Sequence, residues 1–311
     1  MTSVLFTSIR NLRDGSVQDM IPLDDWKRRG QSFDYGGHSI FYVEEGEGEP
    51  LLCIHGFPTA SWDWNWIWPE LVKQYRVIAP DMIGFGFSAK PRHYPYSLMD
   101  QATLHERLLE HLGAGHAFVL AHDYGDTVAQ ELLARFEERK KSGAGGLGIR
   151  CVCFLNGGII PGEHRPRPMQ RLLISPLGPL VARLTNQRRF NRGFSEIFGP
   201  DTQPSLEELA CFWRLIEANG GRYVLHKLIR YMRERVEFKD RWVGALQRAN
   251  VPLRFINGPE DPVSGRHMAE TYRRTVPNPD VVLFEGVGHY PQVEAPEKTI
   301  RAVFDFFERI S

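Results

Sequence analysis

An aspartate, Asp123, stands where an apolar run meets an amphipathic one, in Val119-Leu120-Ala121-His122-Asp123-Tyr124-Gly125. The run 117–122 has the composition of a buried strand, and 127–138 has helical periodicity. Ala121 and Gly125 lie two positions either side of Asp123, the small neighbours that a sharp strand–turn–helix needs where the helix passes close to the strand. Such a turn projects its central side chain at the carboxyl end of a parallel sheet, where the helix N-terminus favours negative charge. Alone, an aspartate at this place is simply a helix cap. It has company. Asn257-Gly258-Pro259-Glu260-Asp261-Pro262-Val263 follows a later apolar run, and Gly286-Val287-Gly288-His289-Tyr290-Pro291 follows the last one. Nucleophile, acid and histidine then come in an order that a hydrolytic triad can use, with His289 as base and Asp261 or Glu260 as the acid that orients it.

An aspartate nucleophile selects a substrate class. A serine that attacked saturated carbon would be left as an ether, which water does not readily cleave. A carboxylate forms an alkyl ester instead, and water can cleave that ester at the enzyme's own carbonyl. The expected partner is therefore a small molecule with an electrophilic sp3 carbon: an epoxide, an alkyl halide or haloacid, or a β-lactone opened at carbon. His289 would take the proton from water. The strand-like run ending in His55-Gly56-Phe57-Pro58 offers the Phe57 backbone N–H to the oxyanion, and Tyr124, directly after the nucleophile, offers the second.

The elements that must hold these groups alternate. Residues 39–43, 51–55, 76–80, 117–122, 150–156, 252–258 and 281–285 read as strands, and 98–112, 127–138 and 297–310 as helices. Nearly all-apolar strands fit a parallel sheet buried on both faces, and the βαβ rhythm predicts an open α/β sheet. The rhythm stops between 159 and 246, where helical pieces such as 205–217 and 223–233 follow one another without a strand. This predicts a core of residues 1–158 and 247–311 with a helical cap, 159–246, over the site. Within the cap, from Glu163 to Arg192, seven arginines accompany one acid. A solvated face is the simpler reading; attraction of anionic substrates or a membrane surface is the alternative. Trp62, Trp64, Trp66 and Trp68 alternate. In a helix Trp62 and Trp66 would share one face and Trp64 and Trp68 another, packing the core or, with Trp64, lining the cleft under the cap.

With 38 basic and 38 acidic residues the chain is formally neutral, which argues against a nucleic-acid partner. Gly143-Ala144-Gly145-Gly146-Leu147-Gly148 follows a helix and precedes a strand, the reverse of a dinucleotide site, and reads as a loop. Gly84-Phe85-Gly86 reads as a tight turn. Of the four cysteines, Cys53, Cys151 and Cys153 fall in strand-like runs and read as buried hydrophobes, while Cys211 lies in the cap region. No G-x-S-x-G exists, which counts against a serine esterase. No signal peptide, transmembrane helix, metal or cofactor is expected, and the thiols suit a reducing, cytoplasmic location. Homodimer formation is left open, as is the contrasting class of a non-catalytic binding protein on the same fold.

The motifs His55-Gly56-Phe57-Pro58, Asp81-Met82-Ile83-Gly84-Phe85-Gly86-Phe87-Ser88, His122-Asp123-Tyr124-Gly125, Asp261-Pro262-Val263 and Gly288-His289 resemble the epoxide hydrolase and haloalkane dehalogenase group of α/β-hydrolases over roughly residues 30–310. Within it, the run from His122 to Leu132, Asn156-Gly157-Gly158 and Arg241-Trp242-Val243-Gly244-Ala245-Leu246 resemble the mesoderm-specific transcript family. The resemblance implies a mostly parallel eight-stranded sheet flanked by helices with an inserted cap. It selects Asp261 over Glu260 as the acid. It also implies cap tyrosines that donate to an epoxide oxygen: Tyr231 matches the later one, and His164 stands in for the earlier one, which has no counterpart. Dehalogenases of the group hold halide with a Trp after the nucleophile and an Asn or Trp elsewhere; Tyr124 and Phe57 occupy those places, and Phe57 favours the epoxide hydrolase side. Asp126 departs from the group's small apolar residue, and either caps the helix or repels the Asp123 charge.

Overall fold

The apolar run before Asp123 forms the middle of the sheet because its alternate side chains serve two faces. The computed structural model describes residues 20–310. Its strands are β1 (Gln31–Tyr35), β2 (His38–Glu45), β3 (Glu49–Ile54), β4 (Tyr75–Pro80), β5 (His116–His122), β6 (Gly148–Leu155), β7 (Leu253–Asn257) and β8 (Asp280–Leu283). They form one eight-stranded sheet in the order β1-β2-β4-β3-β5-β6-β7-β8. Only β1–β2 and β2–β4 pair antiparallel. From β4 through β8 every pairing is parallel, so the loops after β3, β5, β6, β7 and β8 leave one edge together.

On one face Val119 and Ala121 of β5 join Leu52, Ile54, Val152 and Phe154 against the helices Leu98–His111 and Tyr124–Ser142. On the other, Phe118 and Leu120 join Cys53, Cys151 and Cys153 against Trp26, Trp68 and the helix Pro296–Glu308. All four cysteines are free and buried. This is the open, mostly parallel α/β sheet that the alternating pattern implied, with the eight strands that the resemblance implied.

Seven strands fall within two residues of the runs read from sequence. The eighth, β1, was not read, because an edge strand with only half-buried Phe33 and Tyr35 leaves no apolar run. Its hairpin to β2 turns at Gly36 and Gly37, both at positive φ. The helix expected over 127–138 begins three residues earlier, directly after Asp123, and runs to Ser142.

Between β6 and β7 the described chain is helical throughout, from Pro168–Ile174 to Lys239–Arg248. Helix Leu206–Glu217 starts at Ser205 with a capping box to Glu208. The helix expected over 223–233 is instead broken: Leu225–Leu228 and Tyr231–Glu237 are separated where Met232 and Arg233 bond three residues back rather than four. Helix Lys239–Arg248 packs on Tyr124–Ser142. There buried Glu131 accepts from Arg135 Nε at 2.8 Å, Arg241 Nε at 2.7 Å and Trp242 Nε1 at 2.8 Å. Among the described residues no helix is long and apolar enough to cross a membrane.

Glu131→Ala orphans the Trp242 N–H and weakens both arginine contacts, although Glu106 and Glu138 still hold those cations. The expected loss is about 3 kcal/mol of unfolding free energy, measured by urea titration.

Candidate active site

Asp123 is held in a conformation an aspartate rarely adopts, φ 48° and ψ −101°. The cause is close approach: a Cβ on Gly125 would sit 2.3 Å from the Ile54 carbonyl oxygen and 2.8 Å from that of His55. The helix start is thus pressed against the end of β3, and the Asp123 side chain is turned toward the loop after β3. Its Oδ2 accepts from the Phe57 N–H at 3.2 Å. The backbone N–H of Asp123 is tied to Leu155 O at the end of β6.

The loops after β7 and β8 bring Asp261 and His289 together. His289 Nδ1 lies 2.7 Å from Asp261 Oδ2, and both side chains are buried. Asp261 also accepts from Ser264 Oγ at 2.7 Å, the Val263 N–H at 2.7 Å, the Ser264 N–H at 3.1 Å and Asn156 Nδ2 at 3.2 Å. Burial alone would raise its pKa, but the His289 charge and these donors hold it below the usual carboxylate range. Glu260, the alternative acid, is exposed. For His289, burial alone would lower the pKa; the carboxylates of Asp261 and then Asp123 outweigh it and raise it to about 9.

The helical segment between β6 and β7 contacts these groups. The His289 N–H donates to Ile197 O at 2.8 Å. Glu294 ties the histidine loop to the same segment, accepting from the N–H groups of Gly288, Tyr290 and Gly199, each at 2.8 Å. The Tyr231 ring lies 5.9 Å from Phe57 and 4.8 Å from Tyr124. One turn on, Arg235 is buried with its guanidinium 4.5 Å over the Tyr231 ring. Its Nη2 donates to the Asp123 carbonyl at 2.8 Å and lies 3.7 Å from Asp123 Oδ1, and its Nε donates to Thr127 Oγ1 at 2.8 Å.

Asp126 is wholly buried, and neither carboxyl oxygen has a well-formed hydrogen bond among the described residues. It therefore does not cap the helix. Burial first, and the Asp123 charge second, push its pKa well above the usual carboxylate range.

Phe57, Tyr124 and Tyr231 thus meet at Asp123. His164 lies near the same guanidinium: a Cβ on Gly158 would meet Arg235 Nη1 at 2.5 Å and His164 Cβ at 3.4 Å. Both its ring nitrogens are buried without a partner among the described residues, and burial, then the Arg235 charge, lower its pKa to about 4. Trp64 is fully buried in the apolar cluster on the Trp26 face of the sheet. The Trp62 and Trp66 rings lie 5.0 Å apart, tilted by 59°, and both reach Phe212 of the helical segment. A surface cavity of about 390 Å3 between β1 and helix Leu98–His111 shares no residue with this group. Three contributors were not read from sequence. Arg235 follows Tyr231 by four residues, a helical-face signal; Asn156 stood in a motif without a role; Glu294 gave no signal.

Residues 51–302 match the model of the alpha/beta hydrolase family. The chain is 44% identical over 295 residues to the bovine mesoderm-specific transcript homolog protein, covering 91% of this chain and 87% of that one. It is 26% identical over 282 residues to haloalkane dehalogenase 2 of Mycobacterium bovis, covering 88% and 93%. Among solved structures, the epoxide hydrolase CorEH superposes with a TM-score of 0.74 at 21% identity, over 91% of this chain and 99% of that one. With its sheet order, its strained turn after β5 and these matches, the chain belongs to the α/β-hydrolase family.

Proposed function

We propose that the chain is a hydrolase that works through an alkyl ester on Asp123, and that its first substrate class is epoxides. The observation that carries this reading is the Asp123 carboxylate itself, at the apex of the strained turn and facing the Phe57 N–H at 3.2 Å. A helical cap over 159–246 is part of the same reading.

Asp123 attacks a ring carbon, the C–O bond breaks, and the oxygen takes a proton. Tyr231 and His164 are the donors to that oxygen. Ester formation removes the negative charge of Asp123. That charge helps raise the His289 pKa, so alkylation makes His289 a readier base when water must be activated. His289, held by Asp261, takes a proton from water, and the hydroxide attacks the Asp123 ester carbonyl. The N–H groups of Phe57 and Tyr124 stabilise the tetrahedral oxyanion, each by about 3 kcal/mol. Collapse expels the product alkoxide, which is protonated to give a diol. Opening of an alkyl halide or β-lactone would use the same residues. Tyr124 and Phe57, where dehalogenases carry halide donors, favour the epoxide.

His289→Gln incubated with a panel of epoxides, alkyl halides, haloacids and β-lactones should gain the mass of one whole epoxide, and Asp123→Asn should abolish the gain. An adduct lighter by the hydrogen halide would replace the epoxide reading with dehalogenation. A folded His289→Gln that forms no adduct across the panel would overturn the hydrolase reading in favour of a binding protein.

Arg235→Met leaves Asp123 buried without its cation, and should lower stability by about 3 to 5 kcal/mol and slow adduct formation. Arg235→Lys keeps the charge but not the two-nitrogen grip, so it should recover only part of the rate.

His289 binds its proton more tightly folded than unfolded. Its stabilisation is therefore complete below about 6.5 and lost as pH rises through about 9. Thermal melts should show stability falling over that window, and Asp261→Asn should flatten the fall.

A further inference from the structure

Large apolar side chains are seldom exposed, and when they cluster they mark a surface that something covers. Among the described residues seven are exposed, and five of them fall within one stretch of the helical segment: Met169, Leu172, Leu177, Leu180 and Leu184. Their exposures lie between 41 and 59%. The stretch is made of two short helices, Pro168–Ile174 and Gly178–Leu184, joined by a tight Ser175-Pro176-Leu177 connection. Its inner side is anchored: Leu173 and Ala182 are buried in the same core cluster as Leu225 and Leu228. Arg233 Nη2 donates to Ile174 O at 3.0 Å, and Arg222 Nη1 to Thr185 O at 3.2 Å. The outward apolar side chains are therefore displayed by a held hairpin.

Charge says what the partner is. Seven arginines lie in this hairpin or flank it along the chain: Arg165, Arg167, Arg171, Arg183, Arg188, Arg189 and Arg192. Only Arg167 is paired with an acid, Glu196, among the described residues; the other six are exposed without one. In a chain whose formal charge is zero, this is a local concentration of free cations. A second copy of the same face would bring the same cations against them. A nucleic acid offers no apolar layer to receive the leucines. A bilayer with anionic headgroups satisfies both features: acyl chains below for the leucines, phosphates above for the guanidinium groups.

We propose that the hairpin 168–184, with the arginines that flank it, docks the protein on an anionic lipid surface. The leucines enter the headgroup–acyl boundary and the arginines remain at the level of the phosphates. Helix Tyr231–Glu237, which carries Tyr231 and Arg235, is tied to the same hairpin by the Arg233 hydrogen bond to Ile174 O, so the docked face and the site share one helical segment. The inference does not depend on the chemistry assigned to Asp123.

The full chain is mixed with sedimentable vesicles of phosphatidylcholine alone, or containing about 30% phosphatidylserine, at about 0.1 M and about 0.5 M salt. The protein should pellet with the anionic vesicles at low salt, and roughly tenfold less with neutral vesicles or at high salt. Two variants test the two halves of the surface: Leu177→Ser with Leu180→Ser and Leu184→Ser, and Arg183→Gln with Arg188→Gln and Arg189→Gln. Each should lose roughly tenfold in vesicle binding while keeping the parent's melting temperature, since all six side chains are exposed. No binding by the parent at low salt, or binding by both variants as tight as the parent's, would overturn the proposal. So would a parent dimer that Leu180→Glu converts to monomer, since a second copy would then be the occupant.

Discussion

The strand-to-helix turn at Asp123 sets the geometry on which the rest of the site depends. Helix Tyr124–Ser142 starts so close to β3 that Gly125 leaves no room for a Cβ beside the Ile54 carbonyl, and the chain accommodates this by placing a non-glycine residue at φ 48°. A side chain in that conformation cannot lie along the strand or cap its own helix, and Asp123 makes no side-chain cap bond. It faces the neighbouring loop instead. Parallel pairing from β4 to β8 then does the rest: loops after β3, β7 and β8 open on the same edge and deliver Phe57, Asp261 and His289 to one place.

A second constraint is charge. Several ionisable groups are packed where water is scarce, and they are arranged in opposed pairs. Asp261 is saturated with donors and lies against His289. Arg235 lies against Asp123, which faces His289's charge as well. Asp126, buried beside Asp123 with no hydrogen-bond partner for its carboxyl oxygens among the described residues, has its pKa pushed well above the usual range by that burial and by the Asp123 charge. Esterifying Asp123 would remove one of the negative charges that hold the His289 proton, so His289 would lose that proton more readily when the water step begins. Arg235 also ties the site to the helical segment above it, so that segment's position and the carboxylate's environment are coupled.

The sheet was largely legible because strands β3 to β7, buried along most of their length, must be mostly apolar and announce themselves that way. The polar edge strand β1 did not, and the helix expected over 223–233 failed because its break has no proline or glycine to mark it. At the site, Asp123, Asp261 and His289 could be singled out by their places after strands, and Phe57 and Tyr124 by adjacency. Arg235 and Glu294 could not, since their contacts cross from one layer to another and depend on how the helical segment folds back. The arginine-rich stretch was visible as composition, but only the exposure of its leucines distinguishes a docking face from a solvated one.

The central claim is that the Asp123 carboxylate forms the ester that water then cleaves. A single turnover of an accepted epoxide by excess protein in 18O-labelled water tests it directly, followed by mass analysis of the peptide that contains Asp123. Label in the Asp123 carboxylate, with the first-turnover product unlabelled, is the predicted result. Label in the product with Asp123 unlabelled would mean that water attacked the substrate itself, and would contradict the account.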